Sequence, residues 1–166
     1  PNTHSMIALL RDGFHSHSQG GSVELANDGS PILDYQINDY LWDGFKRAFL
    51  TMAEIEFAAG AKAVRASHLD STWSTSWKQA QQNIQQLEFR SNAFTAGSAH
   101  VMGGLAMGED LSQCVVDSNG KYHYLDNLYV FDGSVFPTSI GANPQLSIYG
   151  LVAYQATKLA QKLKPA

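Results

Sequence analysis

The chain reads as an α+β protein: an antiparallel sheet with helices, followed by a strand-helix unit that belongs to a larger sheet. Three observations predict this. Two short runs containing apolar and β-branched residues, Val23–Ala26 and Ile32–Gln36, flank Asn27-Asp-Gly-Ser30, where glycine supplies the positive φ that a tight hairpin turn needs. Apolar residues then recur at three- and four-residue steps from about Asp39 to Ala59, the period of a helix with one buried face. Finally, the run Leu128–Phe131 precedes a second helical pattern that opens at Asn143-Pro144. A lone strand beside a single helix has no partner strand of its own, so this tail reads as one βα element of a sheet completed elsewhere.

Taken in order, Ser5–Arg11 reads as a first strand and the hairpin supplies two more. In the first helix Asn38 is placed to cap and Gly60 to stop it, with Leu41, Phe45, Phe49, Met52, Ile55 and Ala59 as the core stripe. Gly44 within that stripe costs roughly 1 kcal/mol against alanine, which predicts a close packing contact or an earlier break. A short strand is expected near Ala63–Ala66. The glutamine-rich stretch Ser71–Arg90 reads as a surface helix with a thin stripe of Trp73, Trp77, Ile84 and Leu87. In the last helix Asn143 is the expected N-cap, with Pro144 at the first helical position, where a missing N–H costs nothing. Its expected inner face is Leu146, Tyr149, Val152, Ala156 and Leu159.

Composition excludes several function classes. The 166 residues carry a formal net charge of −4 and no Lys/Arg cluster, which argues against nucleic acid. No apolar run approaches the roughly 20 residues that span a bilayer. Cys114 is the single cysteine, so neither an internal disulfide nor a cysteine-based metal cage can form. His15 and His17 would share a face on a strand and, with His4, could approach a metal, but a polar strand face or a cavity wall is the commoner outcome and no metal is expected. His68 and His123 have no companion pattern and read as structural or exposed. Phe14, Trp42, Trp73, Trp77 and Phe94 would suit an apolar pocket, or form core.

Chemistry concentrates in the last third. His100 carries an imidazole, the side chain best suited to abstract a hydroxyl proton at neutral pH, and Gly103 and Gly104 beside it would let backbone approach a flat ligand closely. Asp132 and Gly133 end an apolar run, and ligands of open α/β sheets bind outside the carboxyl ends of strands. Asn143, Pro144 and Gln145 stand at a helix start, whose free N–H groups and dipole favour negative charge.

The order H-x-x-G-G-x-x-x-G from His100, V-V-D-x-x-G from Val115, L-Y-V-x-D-G-S-V-F-P-T from Leu128, then N-P-Q at Asn143 resembles the C-terminal region of the glucose-methanol-choline (GMC) flavoprotein oxidoreductases. The likeness is dense from Ser98 to about Ala156. Before that it is looser, although V-E-L-A-N-D-G-S-P-I-L-D-Y is similar to the family's substrate-domain hairpin. The resemblance implies oxidation of an alcohol on FAD, with His100 as catalytic base and Asn143 as the second active-site residue. It further implies cofactor contacts from Asp132, Gly133, Asn143, Pro144 and Gln145.

By the same resemblance, residues 1–112 form part of a substrate-binding domain and 113–166 the strand-helix part of a doubly wound FAD-binding domain. The family's phosphate-binding G-x-G-x-x-G does not occur here, so the N-terminal nucleotide-binding portion is expected on a longer chain. One departure stands out: many members carry Cys-Arg before the Met-Gly that follows the glycine pair, whereas this chain has Leu105-Ala106. The competing expectation is an isolated fragment, inactive by itself, that acts as a non-catalytic binding or self-associating module because its uncovered sheet edge and apolar helix face favour self-association as a homo-oligomer or pairing with a complementary chain.

Overall fold

The computed structural model describes residues 2–18 and 20–164. The chain divides into two compact units, each assembled from two separate segments: 1–10 with 36–97, and 11–35 with 98–166.

The first unit is built on two helices. α1, Asp39–Ala58, begins where the Asn38 side chain accepts the Leu41 N–H at 3.0 Å and ends before Gly60, whose φ of +93° only glycine adopts readily. It runs unbroken through Gly44, where a Cβ would meet only Leu10 Cδ1 at an ordinary 3.7 Å, so neither the predicted break nor a close packing contact exists there. The buried face passes from Leu41 through Phe45 and Phe49 to Ala53 and Phe57, leaving Ile55 and Ala59 outside, a correction to the lower half of the predicted stripe.

α2 is shorter than expected, Trp77–Gln86, because the Ser76 hydroxyl accepts the Gln79 N–H and starts it five residues into the polar stretch. Ala80 and Ile84 on α2 meet Ala53 and Ala66 in a small core, bordered by Phe49, Leu50, Phe57, Val64, Trp77 and Leu87. The strand expected at Ala63–Ala66 is reduced to a single bridge between Val64 and Ser74. Beside this core Phe94 lies amid Trp42, Phe45, Phe49, Phe89 and His68, with ring centroids 5.0 to 6.1 Å away. Trp42 and Phe94 are therefore packing residues, and Trp73 is exposed.

The second unit holds the hairpin. β1, Ser22–Leu25, pairs antiparallel with β2, Pro31–Asp34, in the register Val23 to Leu33 and Glu24 to Ile32. The turn is fixed by Asp28, whose carboxylate accepts both the N–H and the hydroxyl of Ser30. Pro31 sits at a strand's first position, where its missing N–H is tolerated. Residues Ser5–Arg11, expected as a third strand, are irregular. The sheet therefore has two strands, both exposed along their whole length.

From Ser98 onward the chain forms irregular loops stitched by backbone hydrogen bonds. Isolated bridges join Met107 to Val116, Val116 to Tyr122 and Lys121 to Tyr129, around the fully buried Val116 and Val135. The predicted strand Leu128–Phe131 contributes only one of these bridges. α3, Gln145–Lys162, follows. Its inner face runs through Ile148, Val152, Gln155 and Leu159, whereas Leu146 and Tyr149 are 82% and 60% exposed, so the predicted apolar face is rotated. Gln155 anchors the true face: its amide Nε2 donates to Met107 Sδ at 3.3 Å and to the Ser118 carbonyl at 3.4 Å. Among the described residues no helix is long and apolar enough to cross a membrane.

Candidate active site

The predicted site residues lie on three segments of the second unit, and backbone contacts draw these together. After His100 the chain runs beside a short 3-10 turn, Gly133–Val135. Three N–H groups on one side, from Gly103, Leu105 and Met107, donate to the carbonyls of Gly133, Ser134 and Val135 at 3.3, 3.0 and 2.9 Å. The alternating partners of the first strip and the consecutive partners of the second show an extended chain laid along a tight turn. Gly133 in turn touches α3: a Cβ there would stand 3.1 Å from Ile148 Cδ1 and 3.1 Å from the Val101 carbonyl. The histidine loop, the Asp-Gly turn and the first turns of the last helix thus meet at Gly133.

Each predicted residue can be placed. His100 is half-buried at the start of the loop. Gly103 and Gly104 have φ of +86° and +96°, conformations that side chains disfavour, and nothing lies within 4 Å of a Cβ built on Gly104. Gly133 is buried, and its need for glycine is a matter of packing.

Asp132 does not end a strand. It caps the 3-10 turn, where Oδ1 accepts the Ser134 N–H at 2.7 Å and the Ser134 hydroxyl. The strand reading fails because Leu128–Phe131 has no continuous partner, and the carboxylate folds back on its own chain as Asp commonly does before a turn.

Asn143 is exposed and does not cap α3; the cap position falls to Pro144, already in the helical region at φ −83°, ψ −10°. The proline ring presets that conformation, so the helix begins one residue later than its side-chain cap would have required. The Asn143 amide consequently makes no hydrogen bond among the described residues, and no side chain caps the first turn of α3. Pro144 is buried, and Gln145 Nε2 donates to the Tyr149 hydroxyl at 2.7 Å.

The remaining histidines are accounted for separately. His15 and His17 lie in a turn, not on a strand; their rings meet edge to face at 5.1 Å, and His15 Nδ1 accepts the His17 N–H. His4 pairs with Glu56 of α1 at 2.8 Å. Among the described residues no group of three His, Cys, Asp or Glu could hold a metal. His68 is buried: Nδ1 accepts the Asp70 N–H at 3.1 Å, so Nε2 carries the hydrogen and donates to the Glu88 carbonyl at 3.0 Å. His123 Nε2 lies 3.0 Å from the Gly108 carbonyl.

These features suit one wall of a site for a flat, anionic cofactor. A glycine pair presents backbone without side chains, and an uncapped helix start offers N–H groups and the positive end of a dipole. A hollow of about 170 Å³ between Asp117, Lys121, Tyr129, Gln155 and Lys162 contains none of the predicted site residues. Arg11 and Gly13 also meet residues 138–141, a contact whose one sign in the sequence is an arginine at the end of a run expected as a strand.

The profile of the GMC oxidoreductase C-terminal domain matches residues 16–151, and the chain belongs to this family. It is 44% identical over 131 residues to a 6'''-hydroxyparomomycin C oxidase of Streptomyces lividus, covering 78% of this chain and 20% of that protein. Against an uncharacterized GMC-type oxidoreductase of Sinorhizobium fredii it is 30% identical over 138 residues, covering 79% of this chain and 26% of the relative. A long-chain-alcohol oxidase of Arabidopsis thaliana is 26% identical over 174 residues, covering 97% of this chain and 22% of the oxidase. The chain therefore spans about a fifth to a quarter of the length of these relatives.

Proposed function

We propose that this chain is the C-terminal part of an FAD-dependent alcohol oxidoreductase, with His100 as the base. The observation that carries the reading is the meeting of the His100 loop, the Gly133 turn and the start of α3, three motifs far apart in sequence. Two relatives bear the names of oxidases, one of them of long-chain alcohols, which supports the same class of chemistry.

FAD, when bound, would supply the two-electron acceptor for the hydride that leaves the carbinol carbon. His100 accepts the hydroxyl proton on an imidazole nitrogen, so the alcohol loses two hydrogens and becomes a carbonyl compound. Asn143 donates from its side-chain NH₂ to the substrate oxygen and holds the carbinol carbon in place, a role its freedom from capping leaves open. The uncapped first turn of α3, from Gln145 onward, would offer N–H groups and a positive dipole to negative charge on a bound cofactor, with Pro144 setting the start of the turn. Gly103 and Gly104 keep the wall bare, while Asp132 and Gly133 set the turn that supports it.

In this reading residues 1–112 contribute to a substrate-binding domain and 113–166 to a doubly wound FAD-binding domain. The phosphate-binding glycines come from an N-terminal portion of the same enzyme.

The test is an absorbance spectrum of the chain after mixing with FAD and dialysis, beside the chain co-expressed with an N-terminal nucleotide-binding half. Flavin bands retained only by the pair support the proposal. His100→Ala in that pair should then lower kcat by about 10²–10⁴ at neutral pH, the usual weight of a positioned base. Unaltered kcat would remove His100 from the mechanism. Flavin-free protein that associates with itself would favour the non-catalytic module.

A further inference from the structure

We infer that Arg11 is a positioning residue: with Phe14 and Gly13 it clamps the loop 138–143 that carries Asn143. The inference rests on the function proposed above for Asn143, but the clamp itself can be examined without it. Two contacts far apart in sequence define it. Gly13 is buried against Thr138 and Ser139, so closely that a Cβ would collide with the Thr138 hydroxyl and lie 3.3 Å from the Ser139 nitrogen. Two residues before it, the Arg11 side chain lies flat on Gly141: a Cβ at Gly141 would stand 2.8 Å from Arg11 Cδ and 2.9 Å from Nη1. Gly141 itself takes φ +74°. The loop is thus gripped at 138–139 and again at 141, two residues before Asn143.

The arginine also meets an aromatic ring. Its guanidinium carbon stands 5.1 Å from the centroid of the Phe14 ring. Phe14 has φ +54°, a left-handed conformation that a bulky side chain rarely adopts. An exposed phenylalanine in that conformation needs its surroundings to hold it there, and the ring is brought to the guanidinium. The Tyr35 hydroxyl, donating to Asp12 Oδ2, ties the same segment to the end of β2. Arg11 forms no ion pair with a carboxylate among the described residues, so packing against the ring and against Gly141 is its role. A planar cation fits that slot. A lysine ammonium is compact and strongly hydrated, and does not.

The experiment is backbone ¹⁵N relaxation on the 166-residue chain and its variants. In the unsubstituted chain, residues 139–143 should show order parameters near the rigid value of ~0.85. In Arg11→Ala they should fall below about 0.6, with a similar loss in Phe14→Leu and only partial recovery in Arg11→Lys, while residues 101–107 stay unchanged. Order at 139–143 that is unaffected by Arg11→Ala overturns the clamp, whatever the kinetics show. In the flavin-loaded pair of halves, Arg11→Ala should lower kcat with little change in the pH profile that His100 sets. A pair that never oxidises an alcohol would defeat the functional reading and leave the relaxation result to decide the clamp.

Discussion

Gly133→Ala puts the geometry of the candidate site to a test of sign. Gly133 lies in a 3-10 turn and has no positive φ, so its backbone is one that alanine adopts freely. On conformational grounds alone the substitution should stabilise the chain by about 0.4–1 kcal/mol, because alanine restricts the unfolded state. The structure predicts the opposite. A methyl group would stand 3.1 Å from both the Val101 carbonyl and Ile148 Cδ1, tighter than carbon normally packs against either. Ile148 can rotate its terminal methyl away. Val101 cannot yield without displacing the strip whose N–H groups bond the turn, one residue after His100.

Overpacking of this kind costs about 1–3 kcal/mol, centred near 2, which leaves a net loss centred on roughly 1.3 kcal/mol after the conformational gain. With a urea m-value of about 2 kcal/mol/M, the midpoint should fall by roughly 0.5–1 M. Far-ultraviolet circular dichroism through a urea titration is the assay. Adding Ile148→Val should recover part of the loss, since it removes one of the two crowding atoms. An unchanged or raised midpoint for Gly133→Ala would refute the convergence of the three segments at this residue.

Other outcomes follow from the same structure. His68→Phe keeps the stack on Phe94 but strands the Asp70 N–H and the Glu88 carbonyl, and should cost roughly 2 kcal/mol by tryptophan fluorescence in urea. Gly103→Ala, forced to φ +86°, should lose about 1–2 kcal/mol by the same titration followed by circular dichroism. Ser112 holds the Asp110 carboxyl below its ordinary 3.8 by side-chain and then backbone hydrogen bonds, Ser30 does the same for Asp28, and Lys121 lowers Asp126. A depressed folded-state value contributes stability that is complete above the unfolded value and is lost as pH falls through the folded one. The urea midpoint should therefore drop between pH 5 and pH 3, roughly the window of carboxylate titration, and drop less in Asp110→Asn.

Local chemistry explains which parts of the fold were legible in the sequence. The hairpin could be read because Asp28, Gly29 and Ser30 close the turn among themselves, and α1 because Asn38 and Gly60 act on adjacent backbone. The strands predicted at 5–11 and 128–131 failed because a strand is defined by its partner, and apolar runs do not say whether one is present. The face of α3 was legible only in part: Val152 and Leu159 turn inward as expected, but Leu146 and Tyr149 are apolar yet exposed, and the buried residue is Gln155, a polar side chain with partners on Met107 and Ser118. Periodicity counts hydrophobicity. It cannot see a buried amide.

The candidate site was read in a different way, from motif order, and the local structure of its residues differs from the one the motifs suggested. Asp-Gly at 132–133 looked like the carboxyl end of a strand offering groups to a ligand. In the structure Asp132 serves its own turn and Gly133 serves close packing, so the pair holds the turn against the loop after His100 and against α3. Asn-Pro at 143–144 looked like a side-chain cap followed by a tolerated proline. Here the proline supplies the cap position by its own ring geometry, which leaves the Asn143 amide without a hydrogen-bond partner among the described residues. A side-chain cap would have engaged the Asn143 oxygen with backbone and fixed its rotamer against the helix. Because Pro144 does that work through φ alone, the amide stays exposed at the helix start, and the loop before it, held by Arg11 and Gly13, becomes what decides where that amide points.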